Sequence, residues 1–394
     1  MKKILFAINH LKMGGIEKTL INLINEIDFS KYEVTIFVLK KEGECINLIS
    51  DKVNIIEFEN YEKFKKKYIN NPRIVILDSI KKLKIIKSLN LIACYLVLKI
   101  FNYPILYYNE IMKYTKCLDD IYDLVIDYEG VNPILSFFVK NNTKGEKKAI
   151  WVHFDYNLYP INKKIYNYIY KYFNNIVVVC NNLGDILKVM FPRHKEKLKT
   201  IYNVIDSKRI VELANKEKNV YSNYCGIKVL TIGRLVGQKG QDIVIPILHR
   251  LRKEGYNIKW FCVGEGKSRP IYENMIKEYN LEDEFCLLGN KMNPYPYIRE
   301  CDIYVQPSRY EGYCTTTNEA KILNKPIITT NVSGANEQFL NNFNGIIVDI
   351  NEESIYIAIK KLLDNKEILT QLQENLKIQN VSTCSEVEKV YELI

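Results

Sequence analysis

Short apolar runs alternate along the chain with longer amphipathic stretches. KKILFAI opens as a strand, MGGIEKTLINLINEI follows as a loop and helix, and YEVTIFVLK reads as a second strand. This is a βαβ opening, which builds a parallel sheet. Further strands are expected at VNIIEF, YDLVIDY, KKAIWVH and NIVVVC. The pattern restarts at KVLTIGRL (Lys228–Leu235) and continues through a helix (QDIVIPILHRLRKEG), a strand (NIKWFCVG), a helix (RPIYENMIKEYN) and strands EFCLLG and IYVQPS. A helix in TTTNEAKILN, strands KPIITT and GIIVDI, and closing helices complete it. The join, IYNVIDSKRIVELANKEKNVYSNY, is polar and holds no strong strand pattern, which places a hinge near Thr200–Asp206. The expected fold class is α/β, with two doubly wound Rossmann-like domains facing a cleft. The domains span residues 1–203 and 204–375, and residues 376–394 form a C-terminal helix packing back toward the first. Sheets of this kind bind ligands outside the carboxyl ends of their strands.

Composition narrows the class. With 394 residues, 47% of them hydrophobic and 26% charged, the chain is a multi-domain globular protein and neither disordered nor collagenous. The net charge of +10 is informative once located. Residues 220–394 carry 20 basic and 22 acidic side chains, whereas Tyr61–Lys116 alone has 12 basic residues against Glu62, Asp78 and Glu110. A local basic segment suggests a surface that meets anions. Ten cysteines form no CxxC and, with four histidines, no Cys/His cluster, so a dedicated zinc site is not expected. Several cysteines sit in apolar runs and read as small buried hydrophobes in a cytosolic protein with reduced thiols. The N-terminal apolar run is too short for a signal peptide. The longest apolar stretch, Leu89–Tyr108, is broken by Asn90, Lys99, Asn102 and Pro104, so no transmembrane helix is expected.

Candidate chemistry concentrates in PSRYEGYCTTTNEAKILNKPIITT. A strand ends at Ser308, a turn carries Glu311 and Gly312, and a helix starts near Thr315 with Glu319 about one turn in. The unpaired N–H groups and partial positive charge of such a helix start suit a phosphate. Read alone, Glu311 is a turn acid and Glu319 a solvated helix face. The context adds GRLVGQKG, in which Gly233 precedes Arg234 and Lys239 at another strand end, and two cations there suit a diphosphate. VGEG contributes Gly264 at a further strand end, and LLGNKMNPYPYI contributes Asn293 and tyrosines that either stack on a base or pack. His153 ends the apolar run AIWVH, either as a structural residue or as a functional one.

The ordered series GGIEK, WVHFD, NVID, GRL..QKG, VGEG and PSRYEG…NEA resembles the retaining nucleotide-sugar glycosyltransferases of the two-Rossmann-domain (GT-B) type, family 4. The resemblance spans essentially the whole chain. It implies that Arg234 and Lys239 hold the donor diphosphate, that Glu319 binds the ribose hydroxyls and that Glu311 contacts the donor sugar. It implies also that amides around Gly312, Tyr313, Cys314 and Thr315 hold the distal phosphate. Gly15 would approach the phosphates, and His153 would reach the donor sugar. The family often has small or apolar residues after Glu-Gly, where this chain has Tyr313 to Asn318, a polar row that reshapes the sugar pocket. Cys314 has no adjacent histidine and is not expected to be a nucleophile.

The implied reaction is transfer of a hexose or N-acetylhexosamine with retention, by front-face attack, from a UDP-linked donor to a saccharide. No D-x-D motif is present, so Arg234, Lys239 and the helix start would neutralise the leaving group without an obligatory metal, and no cofactor is expected. The basic segment 61–116, laced with aromatic and aliphatic residues, suits an anionic membrane surface. A lipid-linked acceptor and a peripheral position on the inner face of the plasma membrane follow from it. A buried helix with a solvated basic face is the plainer reading. No nucleic-acid module accompanies the charge. An epimerase of the same architecture and a non-catalytic sugar-nucleotide-binding subunit are the alternatives.

Overall fold

A computed structural model of the chain describes residues 1–73, 85–158, 161–378 and 382–394. Lys81, Lys82 and Lys84 of the basic segment lie outside them. The described chain forms two units, one of residues 1–179, 184–202 and 385–394, the other of residues 180–183 and 203–384.

The first unit holds strands β1 (Lys2–Ile8), β2 (Tyr32–Val38), β3 (Asn54–Glu57), β4 (Ile121–Asp127), β5 (Lys144–Val152), β6 (Asn175–Val178) and β7 (Leu198–Thr200). They form one parallel sheet in the order β3-β2-β1-β4-β5-β6-β7. Successive residues Ile4 to Ile8 of β1 are all buried, as a central parallel strand with helices on both faces requires. The edge strand β3 is half-buried to exposed along its length. β7 lies beside the expected hinge and has no counterpart in the apolar pattern, because a three-residue edge strand with an exposed centre carries too little burial to mark it. In the final segment, Tyr391 stacks on Tyr32 at 4.2 Å and its hydroxyl accepts a hydrogen bond from the Asp28 N–H.

The second unit holds β8 (Ile227–Ile232), β9 (Ile258–Val263), β10 (Phe285–Leu287), β11 (Ile303–Gln306), β12 (Ile327–Thr330) and β13 (Ile346–Val348). They pair in parallel in the order β10-β9-β8-β11-β12-β13. The two-sheet, doubly wound α/β class read from the sequence is the one observed. The polar join contains a helix, Ser207–Ala214, capped by Asp206 on the Arg209 N–H. At the far end of this unit a helix spans Lys366–Lys377, and the shorter final helix, Glu386–Tyr391, belongs to the first unit. Trp260 anchors the core, and its indole N–H donates to Thr231 Oγ1, whose hydroxyl donates to the Val305 carbonyl. The buried polar groups between β8, β9 and β11 are thereby satisfied.

In both units the winding reverses beside the first strand, between β1 and β4 and between β8 and β11. Those crevices are where the fold offers a ligand site.

Candidate active site

At the β8/β11 crevice the chain leaves β8 through Gly233 and Arg234 into a turn at Gly237–Lys239, then starts the helix Gln241–Lys253. Gly240 takes φ +72°, and a Cβ there would lie 2.0 Å from the Pro307 carbonyl oxygen, so the turn presses directly on the segment after β11. Arg309 clamps the same two segments. Its guanidinium makes a bidentate pair with Asp242 at 2.9 and 2.6 Å and donates to the Gly237 carbonyl, while its N–H bonds to the Gln238 carbonyl.

This clamp brings Lys239 to Glu311. The ammonium donates to Glu311 Oε1 at 2.5 Å, with the two side chains 16% and 9% exposed. Burial pulls the Lys239 ammonium down, but the charge and hydrogen bond of Glu311 more than offset it, and its pKa lies above the ordinary lysine value. The same carboxyl oxygen accepts from Ser308 Oγ at 2.7 Å. Ser308 Oγ in turn accepts from Gln306 Nε2, and Gln306 Oε1 accepts from the hydroxyls of Tyr304 and Thr316. Glu311 is thus the outer end of a buried chain of side chains rooted in β11, and not a free turn acid. Sequence reasoning missed Gln306 and Ser308, although two polar residues closing an apolar strand were their signal.

The helix Thr315–Ile322 starts at Cys314 with no side-chain cap. Its first turn is braced from inside, because Thr317 Oγ1 and Gln338 Nε2 both donate to the Cys314 carbonyl. Glu319 is 3% exposed, so it is no solvated helix face. Burial, and then the neighbouring Glu311 charge, push the Cys314 thiol up, which keeps it protonated at neutral pH. Arg234 is exposed, and its side chain makes no hydrogen bond or ion pair among the described residues. Gly264 has φ +142°, and a Cβ there would lie 2.1 Å from the Gly233 carbonyl oxygen, so this glycine is required by the close approach of the β8 and β9 ends.

Asn293 stands apart from the Lys239–Glu311 network. Its Nδ2 donates to the Leu213 carbonyl at 2.9 Å, and its Oδ1 is buried without a partner among the described residues. Tyr295 and Tyr297 pack into the core, which settles that choice in favour of packing.

Two expected residues lie in the first unit. Gly15 begins the helix Gly15–Asn25, and a Cβ there would meet nothing within 4 Å. His153 is buried, and its Nε2 donates to the Tyr128 carbonyl at 2.8 Å. Burial holds its pKa down to about 3, so the ring is neutral and keeps only Nδ1 as an acceptor.

The chain is 16% identical, with a TM-score of 0.72, to the Anabaena HepE structure in complex with UDP-glucose, covering 100% of this chain and 99% of that one. At that identity the likeness establishes a shared fold. The 4-alpha-N-acetylgalactosaminyltransferase of Campylobacter jejuni, named for its N-acetylgalactosamine-N,N'-diacetylbacillosaminyl-diphospho-undecaprenol substrate, is 29% identical over 189 residues, 48% of this chain and 50% of that protein. The capsular polysaccharide biosynthesis glycosyltransferase CapH of Staphylococcus aureus is 23% identical over 318 residues, 78% and 85% of the two chains. The matches span about half the length, or less, of the first curated relatives. Residues 216–379, which carry the Lys239–Glu311 network and the helix start, match the family described as Glycosyl transferases group 1.

Proposed function

We propose that the protein is a retaining glycosyltransferase. It moves a hexose or N-acetylhexosamine from a UDP-linked donor to a saccharide acceptor, lipid-linked, in bacterial surface polysaccharide assembly. The observation that carries this reading is the Lys239–Glu311–Ser308 network beside an uncapped helix N-terminus at the β8/β11 crevice. Departure of a nucleoside diphosphate leaves negative charge on the distal phosphate as the anomeric C–O bond breaks. Lys239, Arg234 and the N–H groups at Gly312–Thr315 supply fixed positive charge for it, worth most where water is excluded. Glu311 holds Lys239 in place and offers its carboxylate to donor-sugar hydroxyls, and buried Glu319 serves the ribose. The reading needs no obligatory metal, because the developing charge has these partners.

The acceptor side rests on the helix Ile85–Phe101. Ile86, Leu89, Leu96 and Ile100 recur at helical spacing and are exposed, Ile86 by 77%, with Lys99 beside them. An apolar stripe on a net-basic segment fits the interface of an anionic bilayer. No helix among the described residues is long and apolar enough to cross one. The reading puts the enzyme on the cytoplasmic membrane face. The deciding experiment is a nucleotide-sugar panel read by nucleotide release, with and without a crude lipid-linked acceptor. Acceptor-dependent release from one donor supports the reading, and product formed without acceptor would turn it toward an epimerase.

A further inference from the structure

The polar row Tyr313–Asn318, where the family this chain resembles is often small or apolar, is tied inward. Thr316 Oγ1 donates to Gln306 Oε1 at 3.1 Å. Gln306 Nε2 donates to Ser308 Oγ at 2.9 Å, and Ser308 Oγ donates to Glu311 Oε1 at 2.7 Å. Gln306 and Ser308 are both fully buried. This set of side chains leaves the first turn of the helix Thr315–Ile322, passes through the end of β11 and returns to Glu311. It therefore joins the two ends of the turn at 311–316.

Chemistry dictates the direction of these bonds. An ionised carboxylate only accepts, so the single Ser308 hydrogen goes to Glu311, and Ser308 accepts from the Gln306 amide nitrogen. That turns the amide oxygen toward Tyr304 and Thr316, whose hydroxyls both donate to it, at 2.8 and 3.1 Å. A side-chain amide has the separate donor and acceptor that this arrangement needs; a carboxylate has two acceptors. Glu311 Oε1 thus holds two donors, Lys239 and Ser308, while Oε2 makes no bond among the described residues. The helix start has a brace of its own, since Thr317 and Gln338 both hold the Cys314 carbonyl. The bonds through Gln306 bear on the Glu311 carboxylate instead.

We propose that Gln306 and Thr316 are positioning residues for the donor sugar: their hydrogen bond orients the Ser308 hydroxyl, which fixes Glu311 Oε1 and leaves Oε2 to accept from a sugar hydroxyl. This rests on the transferase reading and adds two residues that set how well the sugar, as distinct from its nucleotide, is held. A hydroxyl at position 316 fixes an orientation that apolar packing would leave open, because a hydrogen bond constrains angle as well as distance.

The test uses the full chain and five probes: UDP, UDP-glucose, UDP-galactose, UDP-N-acetylglucosamine and UDP-N-acetylgalactosamine. Affinities come from isothermal titration calorimetry, and the quantity compared is the ratio of UDP-sugar to UDP affinity for the sugar the wild type binds most tightly. Gln306→Glu keeps the shape and the acceptor for Tyr304 and Thr316 but draws the Ser308 hydrogen away from Glu311. The ratio should fall about tenfold, as for one hydrogen bond to a charged group, while UDP affinity stays within about twofold. Thr316→Val should lower the ratio about threefold, and Thr316→Ser, which keeps the hydroxyl, should restore it. A merely structural role would lower both affinities together, in step with melting temperature. An unchanged ratio in Gln306→Glu, or equal losses in Thr316→Val and Thr316→Ser, overturns the proposal. Should Gln306→Glu not fold, the two Thr316 variants decide it. Binding of UDP but of none of the four UDP-sugars overturns the proposal and leaves the transferase reading standing. If the wild type binds no uridine nucleotide, the UDP-linked reading fails instead. The positioning of Glu311 is then decided by its coupling to Lys239, from the melting temperatures of Lys239→Met, Glu311→Gln and the double variant. That coupling should shrink when Thr316→Val is added, and an equal coupling overturns the proposal.

Discussion

Replacing Lys239 with methionine keeps the aliphatic volume and removes the charge, leaving Glu311 buried without its cation. Breaking a buried pair from one side costs about 3–5 kcal/mol, and the residual exposure of both side chains places this one at the lower end, about 3 kcal/mol. For a unit of this size each kcal/mol moves the midpoint by about 2–4 °C, so its unfolding transition should fall by about 6–12 °C in calorimetry at pH 7. The double variant Lys239→Met, Glu311→Gln removes the stranded charge and should recover most of that loss. Turnover should fall at least 100-fold in both variants, because the diphosphate loses its ammonium in each. The folded-state pKa of Lys239 lies above its unfolded value, so its stabilisation is fully present at neutral pH. It is lost only as pH rises beyond about 10.5 through the folded value. A double variant less stable than Lys239→Met, or a single-variant shift under 2 °C, would refute the buried-pair reasoning.

Ser308→Ala removes a hydrogen bond to a charged carboxylate and leaves the Gln306 amide without its acceptor, so it should cost about 2 kcal/mol by urea titration and lower kcat about tenfold. Gly15→Ala fits the space around its backbone, so thermal stability should hold or rise slightly, while kcat/KM falls at least tenfold if the loop meets the donor phosphates. Equal turnover would remove Gly15 from the site. Turnover should survive dialysis against EDTA, and strict dependence on an added divalent cation would contradict a leaving group neutralised by Arg234 and Lys239. The protein should sediment with anionic vesicles at low salt and release at high salt, and Ile100→Glu should weaken sedimentation severalfold. Equal recovery on neutral vesicles would exclude the basic, apolar helix as the contact.

Much of this architecture is legible in the sequence alone. Buried parallel strand segments such as Ile4–Ile8 and Ile303–Val305 are continuous apolar runs because helices cover both faces, and that signal is local in the chain. Glycines forced by close approach, as at Gly264, also leave a local mark, and so do the cations at strand ends. What the sequence could not decide is which of those groups meet. Lys239 and Glu311 are separated by 71 intervening positions, and only the pressing of Gly240 on the Pro307 carbonyl and the Arg309–Asp242 clamp bring them within a hydrogen bond. Strand formation depends on burial patterns a few residues long. Electrostatic coupling depends on distance in space, which sheet order sets, and so it emerges only with the tertiary structure.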